Sequence, residues 1–378
     1  MDIIRVIKKQ WNDTILCLSL LLQNRLSYLF KTPKPTSLRV FYIGGYWRGA
    51  NDIVAQMLHG LQKAGANVFE FNTDKNSDAL NTEDRPYDRG TFGPVWLVKD
   101  KTFPDILRFR PHIIVCNAGG LSFSSTDTAI LKKWGIRFLG IALSEPDVYA
   151  SATSKIAKNF DVFYTNDKHS VEVHRNKGIL CYQLPMATDD SFFYPVQPKP
   201  EYECDVLHLG AAHADRIEAV RTLTKHFNTH VYGEFWGKYG IENRGFVLGE
   251  ETLHVLSSAK IVVVFSRTPA GHQIIKPQLF NFLSSGCLVA TEDFPDLYQY
   301  FEPGKDLICF NGTDDLLQKV KFYLEHPEDA NDLRQAGREK ALQYTWDKVW
   351  PKLFTPIMSK QLSTSTKVRA SQRINDRH

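Results

Sequence analysis

Residues Lys260–Asp296 read KIVVVFSRTPAGHQIIKPQLFNFLSSGCLVATEDFPD, and this stretch decides the fold. Ile261–Phe265 is an unbroken apolar run rich in β-branched side chains, the pattern of a strand covered on both faces. Ser266–Pro277 follows as a polar loop, and Gln278–Ser285 reads as a helix closed by Gly286. Cys287–Ala290 is a second apolar strand, and Thr291–Asp293 an acidic turn. Open α/β sheets hold their ligands beyond the carboxyl ends of the strands. The loop carrying Arg267, His272, Gln273 and Lys276 therefore stands where an anion such as a diphosphate is held.

The same rhythm extends in both directions. After the break at Thr32–Pro35, strands are predicted at Leu38–Ile43, Val68–Phe71, Ile113–Cys116, Phe138–Leu143 and Val162–Thr165. Helices are predicted between them at 51–64, 126–134 and 151–159, and Thr73–Pro94 reads as a long polar loop. A linker at Gln197–Pro200 precedes a second series. Its strands are Asp205–Leu209, His230–Tyr232, Ile261–Phe265, Leu288–Ala290 and Leu307–Phe310, with helices at 215–226, 251–258, 314–324 and 327–344. The expected architecture is α/β: two Rossmann-like, doubly wound parallel-sheet domains, 37–196 and 201–345, facing a central cleft. A bracing helix is expected at 346–362, and a basic tail without periodicity at 363–378 reads as disordered.

A chain of 378 residues suits two domains of ordinary size. A net charge of +4 gives no case for a nucleic-acid surface. The six cysteines are far apart, with no CxxC or Cys/His cluster. Free buried thiols in a cytoplasmic setting are expected, with no metal site and no bound cofactor. In segment 1–31, Ile3, Ile7, Trp11, Ile15, Leu18, Leu22, Leu26 and Leu29 recur at helical spacing beside Arg5, Lys8, Lys9, Arg25 and Lys31. Such an amphipathic helix either packs on the body of the protein or lies at the inner face of a membrane. Its apolar run is too short to span a bilayer.

Several residues could carry chemistry. Gly45 and Arg48 join a strand to a helix, and Asn117 closes another strand in the same way; these could line an acceptor site. Glu145 and Asp147 follow the strand ending at Leu143. One of these carboxylates could deprotonate a hydroxyl, or Asp147 could simply cap the next helix. His213, next to Asp215, is a second acid/base candidate or a polar surface residue. The small residues from Gly210 would let a phosphate reach the helix that Arg216 opens, and Gly233 permits close approach of a ring or ribose.

The order of Cys204–Arg216 (CDVLHLGAAHADR), Val231–Trp236 (VYGEFW), Gly245–Ser258 (GFVLGEETLHVLSS), the opening stretch and Trp346 resembles the nucleotide-binding half of GT-B glycosyltransferases. The group 1 family is the nearest likeness, in the branch of spore maturation protein B-like enzymes. Leu184–Pro195 (LPMATDDSFFYP) resembles that family's interdomain segment. The resemblance implies metal-independent, hexosyltransferase-like transfer of a sugar from a nucleotide-diphosphate donor, a co-substrate, to a glycan or lipid-linked hydroxyl acceptor. It implies that Arg216 and Lys276 hold the diphosphate, that Gly210 and Gly233 admit the nucleotide, and that Gln273 and Asn281 bind donor hydroxyls. Many retaining members carry two glutamates where Gln273 and Asn281 stand. Amides can bind hydroxyls but cannot supply a negative charge. A nucleotide-sugar epimerase and a non-catalytic nucleotide- or glycan-binding protein are the alternatives.

Overall fold

The computed structural model describes residues 38–358, apart from 47–48, 50–51, 83–92 and 118–119, together with Thr14, Ile15, Leu18, Ser19 and Leu22. The chain forms two compact units. The first takes the described parts of 1–46, 58–184 and 347–378, and the second those of 47–57 and 185–346.

The first unit is built on six parallel strands in the order β2-β1-β5-β7-β8-β9. These are β1 (Arg39–Gly44), β2 (Asn67–Asn72), β5 (Ile113–Asn117), β7 (Arg137–Ala142), β8 (Val162–Thr165) and β9 (Cys181–Gln183). The four inner strands are buried on both faces because their sequences are apolar at nearly every position. β1 lies between β2 and β5, with Phe41 opposite both Phe69 and Ile114. On one face Phe41 stacks on Phe69 at 4.8 Å between ring centroids, and Phe123 meets Phe138 edge-on at 6.1 Å. The helices are α1 (Ile53–Lys63), whose residues to Met57 belong to the second unit, α2 (Lys99–Phe109), α3 (Ser125–Lys133) and α4 (Lys168–Asn176).

Two expectations are corrected here. Part of Thr73–Pro94 is ordered structure: β3 (Leu80–Thr82) pairs with β4 (Val95–Leu97), which pairs with β6 (Leu121–Ser122) in a small separate sheet. The predicted helix at 151–159 is three short turns of π, α and 3-10 type, at Tyr149–Thr153, Ser154–Ile156 and Ala157–Asn159. The cause is local. Ser151 and Ser154 hydroxyls donate back to the carbonyls of Val148 and Ala150, competing with regular helix bonds.

The second unit holds five parallel strands in the order β11-β10-β12-β13-β14. They are β10 (Cys204–Leu209), β11 (Thr229–Tyr232), β12 (Ala259–Val264), β13 (Val289–Glu292) and β14 (Ile308–Phe310). The connecting helices are α5 (Arg216–His226), α6 (Glu250–Ser258), α7 (Pro277–Ser284), α8 (Gly312–Glu325) and α9 (Pro327–Ala341). The chain leaves β10 toward one edge for β11 and returns on the other side for β12. The switch point, where such sheets bind ligands, therefore lies between β10 and β12.

The last helix, α10 over residues 346–358, sends the chain back to the first unit. Trp350 meets Tyr42 at 6.2 Å and stacks on Phe354 at 5.4 Å, while the Tyr164 hydroxyl donates to the Leu353 carbonyl at 2.9 Å. Trp350, Leu353, Phe354 and Ile357 are buried.

Candidate functional site

A cavity of about 380 Å³ opens in the second unit at the carboxyl ends of β10 and β11. Gly210, Gly233, Phe246, Leu248 and Asn281 line it, together with Glu234 and the start of α7 at Pro277 and Gln278. Gly233 has φ +134°, and a Cβ there would lie 2.2 Å from the Gly210 carbonyl oxygen, so only glycine fits. The two glycine turns form one floor, fastened by Trp236, whose Nε1 donates to the Gly210 carbonyl at 2.7 Å. Gly245 and Gly249, with φ +86° and +60°, flank Phe246-Val247-Leu248. Phe246 and Leu248 are 53% and 43% exposed.

The two arginines proposed from the sequence stand elsewhere. Arg216 is buried, and its Nη2 donates to the Arg267 carbonyl at 2.8 Å. Its guanidinium also lies 5.7 Å from the Phe265 ring, and burial pulls its pKa down to about 10, leaving it charged at neutral pH. It ties two loops together and does not line the cavity. Arg267 pairs with Asp215 at 2.7 Å. It forms an antiparallel bridge with Gln273, so the polar loop folds into a tight hairpin closed by Thr268 N donating to the His272 carbonyl at 2.8 Å. Asp215, Arg267, Gln273 and Glu292 line a separate cavity of about 250 Å³. His272 is exposed and His213 half-buried. Lys276 is half-buried and immediately precedes Pro277, at the amino end of α7 beside the larger cavity.

Beneath Gly210 lies His208, buried against Trp236 and Phe265. Its Nδ1 donates to the Val263 carbonyl at 2.9 Å, and its Nε2 has no hydrogen-bond partner. Burial, with Arg216 nearby, lowers its pKa to about 3, so the ring is neutral.

In the first unit, Gly45 packs on Thr73 and Asp74, where a Cβ would sit 2.8 Å from the Thr73 hydroxyl. Arg48 lies outside the described residues. Asn117 is buried, with Nδ2 donating to the Tyr42 hydroxyl at 2.5 Å. The expected pair Glu145 and Asp147 does not share a surface. Asp147 is exposed, whereas Glu145 is fully buried and accepts from the Thr153 hydroxyl and from His174 Nε2 at 2.8 Å. Asn166 brackets the Glu145 backbone with two hydrogen bonds of 3.0 Å. Glu145 thus fastens the turns after β7 and is inaccessible as a surface base.

Residues 214–355 match the "Glycosyl transferase-like" family model. The spore protein CgeB of Bacillus subtilis is 22% identical over 233 residues, covering 56% of this chain and 72% of CgeB. A sucrose-phosphate synthase from Thermosynechococcus elongatus superposes with a TM-score of 0.54 at 15% identity, covering 88% of this chain and all of the other. Anabaena HepE in complex with UDP-glucose gives 0.53 at 9% identity, covering 86% and 100%. The fold is GT-B.

Within that fold the chain resembles a group 1 glycosyltransferase of the CgeB type. Asn281, at one of the glutamate positions, lines the cavity, and its Oδ1 accepts from the buried Thr188 hydroxyl at 2.9 Å. Gln273, at the other, lies in the hairpin, with Nε2 3.4 Å from the Ser266 hydroxyl. Sequence reasoning assigned no role to Glu234, Phe246 or Leu248. The usable signal was an apolar triplet between two glycines, which is exposed on the surface when its partner is a ligand.

Proposed function

We propose that the protein transfers a sugar from a nucleoside-diphosphate donor to a hydroxyl acceptor, a glycan or lipid-linked saccharide. The observation that carries this reading is the cavity at the ends of β10 and β11. It joins a glycine floor to an exposed apolar rim and to the amino end of a helix. The rim residues Phe246 and Leu248 offer a face for a nucleobase. The amino end of α7 carries partial positive charge, and Lys276 adds a full one. Together they would hold the diphosphate and neutralise the charge that develops on it as the glycosidic bond breaks. HepE was solved with UDP-glucose, which makes uridine diphosphate sugars the first donors to try.

Calorimetry with nucleoside diphosphates tests this, paired with an assay for nucleoside diphosphate released in the presence of acceptor saccharides. Lys276→Ala is expected to weaken binding roughly tenfold, the effect of a charged hydrogen bond. Binding that is indifferent to this change would remove the diphosphate from the start of α7. Amides at both glutamate positions favour a second reading, a binding protein without turnover, which would bind the nucleotide yet release none from any donor and acceptor.

The basic, amphipathic segment 1–31 is proposed to rest on an anionic membrane surface at the cytoplasmic face. No helix among the described residues is long and apolar enough to cross a membrane.

A further inference from the structure

Between β11 and α6 the chain passes through Asn243-Arg244-Gly245-Phe246-Val247-Leu248-Gly249, and Phe246, Val247 and Leu248 line the cavity. The amino end of this segment is stitched to the end of β11. Arg244 N donates to the Val231 carbonyl at 2.9 Å, Gly233 N to the Gly245 carbonyl at 2.9 Å, and Gly245 N to Asn243 Oδ1 at 3.0 Å. The carboxyl end is fixed to α6, where Thr252 N donates to the Gly249 carbonyl at 3.2 Å and both Thr252 and Leu253 are buried. Between these anchors Phe246, Val247 and Leu248 make no hydrogen bond with any described residue.

The glycines at the two anchors differ from those of the floor. A Cβ at Gly233 would strike the Gly210 carbonyl, whereas a Cβ at Gly245 or Gly249 would meet nothing within 4 Å. Lack of room therefore does not call for glycine at either place. What glycine supplies is a φ that can be positive, as it is here at +86° and +60°, or negative at little cost. A backbone free to turn at both ends, with no bond holding what lies between, opens locally at low free energy. Phe246 and Leu248 meanwhile stand in water at the rim, where covering them is favourable.

We infer that Phe246-Val247-Leu248 is a strap hinged at Gly245 and Gly249, which folds onto the flat ring of the nucleotide once that ring has entered the cavity. Entry needs the strap open, with its side chains exposed as they are in this structure. Closing buries those side chains and sheds water from the ring. This rests on the nucleotide reading of the cavity.

Hydrogen exchange read by mass spectrometry tests this on the full chain, alone and saturated with whichever of ADP, GDP, CDP and UDP binds best by calorimetry. In the free chain the amides of Phe246, Val247 and Leu248 should exchange as fast as in an unstructured peptide, and bound nucleotide should slow them by about tenfold or more. Phe246→Ser combined with Leu248→Ser keeps the hinges but removes the apolar surface. This double variant should bind more weakly and, at saturation, lose most of that protection. Amides already slow in the free chain would make the segment a rigid rim and overturn the strap. Amides equally fast in both states would overturn it too, while the calorimetry keeps the nucleotide site in place. Full protection in the double variant would show that the nucleotide alone shields the amides, again without closing. If none of the four nucleotides binds the wild type, the nucleotide reading falls and the strap with it.

Discussion

Arg216 and His208 show how burial redirects a side chain's chemistry. An arginine opening a helix after a glycine loop invites assignment to a phosphate. In the folded chain its donors go to the carbonyls of Arg267, Phe265 and Ala211. His208 makes a measurable prediction. Its folded pKa of about 3 lies below the ordinary 6.5 because burial disfavours the imidazolium. The unfolded chain therefore binds the extra proton first as pH falls. The stability that this neutral ring contributes is complete above pH 6.5 and is lost progressively on acidification toward 3. Between pH 7 and pH 5 one such histidine accounts for a loss of at most about 2 kcal/mol. His208→Leu, whatever its stability at pH 7, should lose less than the wild type over that interval in urea unfolding. Parallel losses would show that His208 takes its proton equally in both states. His112, lowered to about 4 by burial and by Arg39, adds to the same trend in both proteins.

At the scale of elements, the strands were legible because a parallel strand covered on both faces must be apolar throughout, as Ile261–Phe265 is. The turns after β7 were not. A run of small residues there looks helical by composition, yet its hydroxyls bond to the backbone and to buried Glu145. The amino-terminal segment carries the membrane prediction. Ile15, Leu18 and Leu22 recur at helical spacing and are 54%, 54% and 60% exposed. Such a stripe, beside the basic residues of 1–31, should bind vesicles containing anionic phospholipid and release them as salt rises. Deleting residues 1–31 should abolish sedimentation with these vesicles while leaving thermal unfolding intact. Vesicle binding that survives the deletion would place the contact elsewhere, and loss of folding would assign the segment to the protein body.

At the scale of the whole molecule, the first unit is not a continuous stretch of chain. It is completed by α10, which brings Trp350, Leu353, Phe354 and Ile357 into its interior from beyond the second unit. Trp350→Ala should therefore destabilise the protein by about 3–5 kcal/mol, the cost of emptying a buried tryptophan site. Residues 37–184 expressed alone should lack cooperative unfolding, and adding the peptide 346–358 should restore part of it. A cooperative melt of 37–184 alone would show that α10 is an accessory.

The alternation of β-branched runs and amphipathic helices, written locally at periods of two and 3.6 residues, determined by itself that this chain forms two doubly wound parallel sheets. It also placed Gly210 and Gly233 at the ends of strands, because glycine at such breaks has few other uses. Local pattern could not decide which polar groups remain free for a ligand. Arg216 is spent on carbonyls, Arg267 pairs with Asp215, and the Asn281 oxygen accepts from Thr188. Those pairings join residues far apart in the chain, so only the packed structure could settle them.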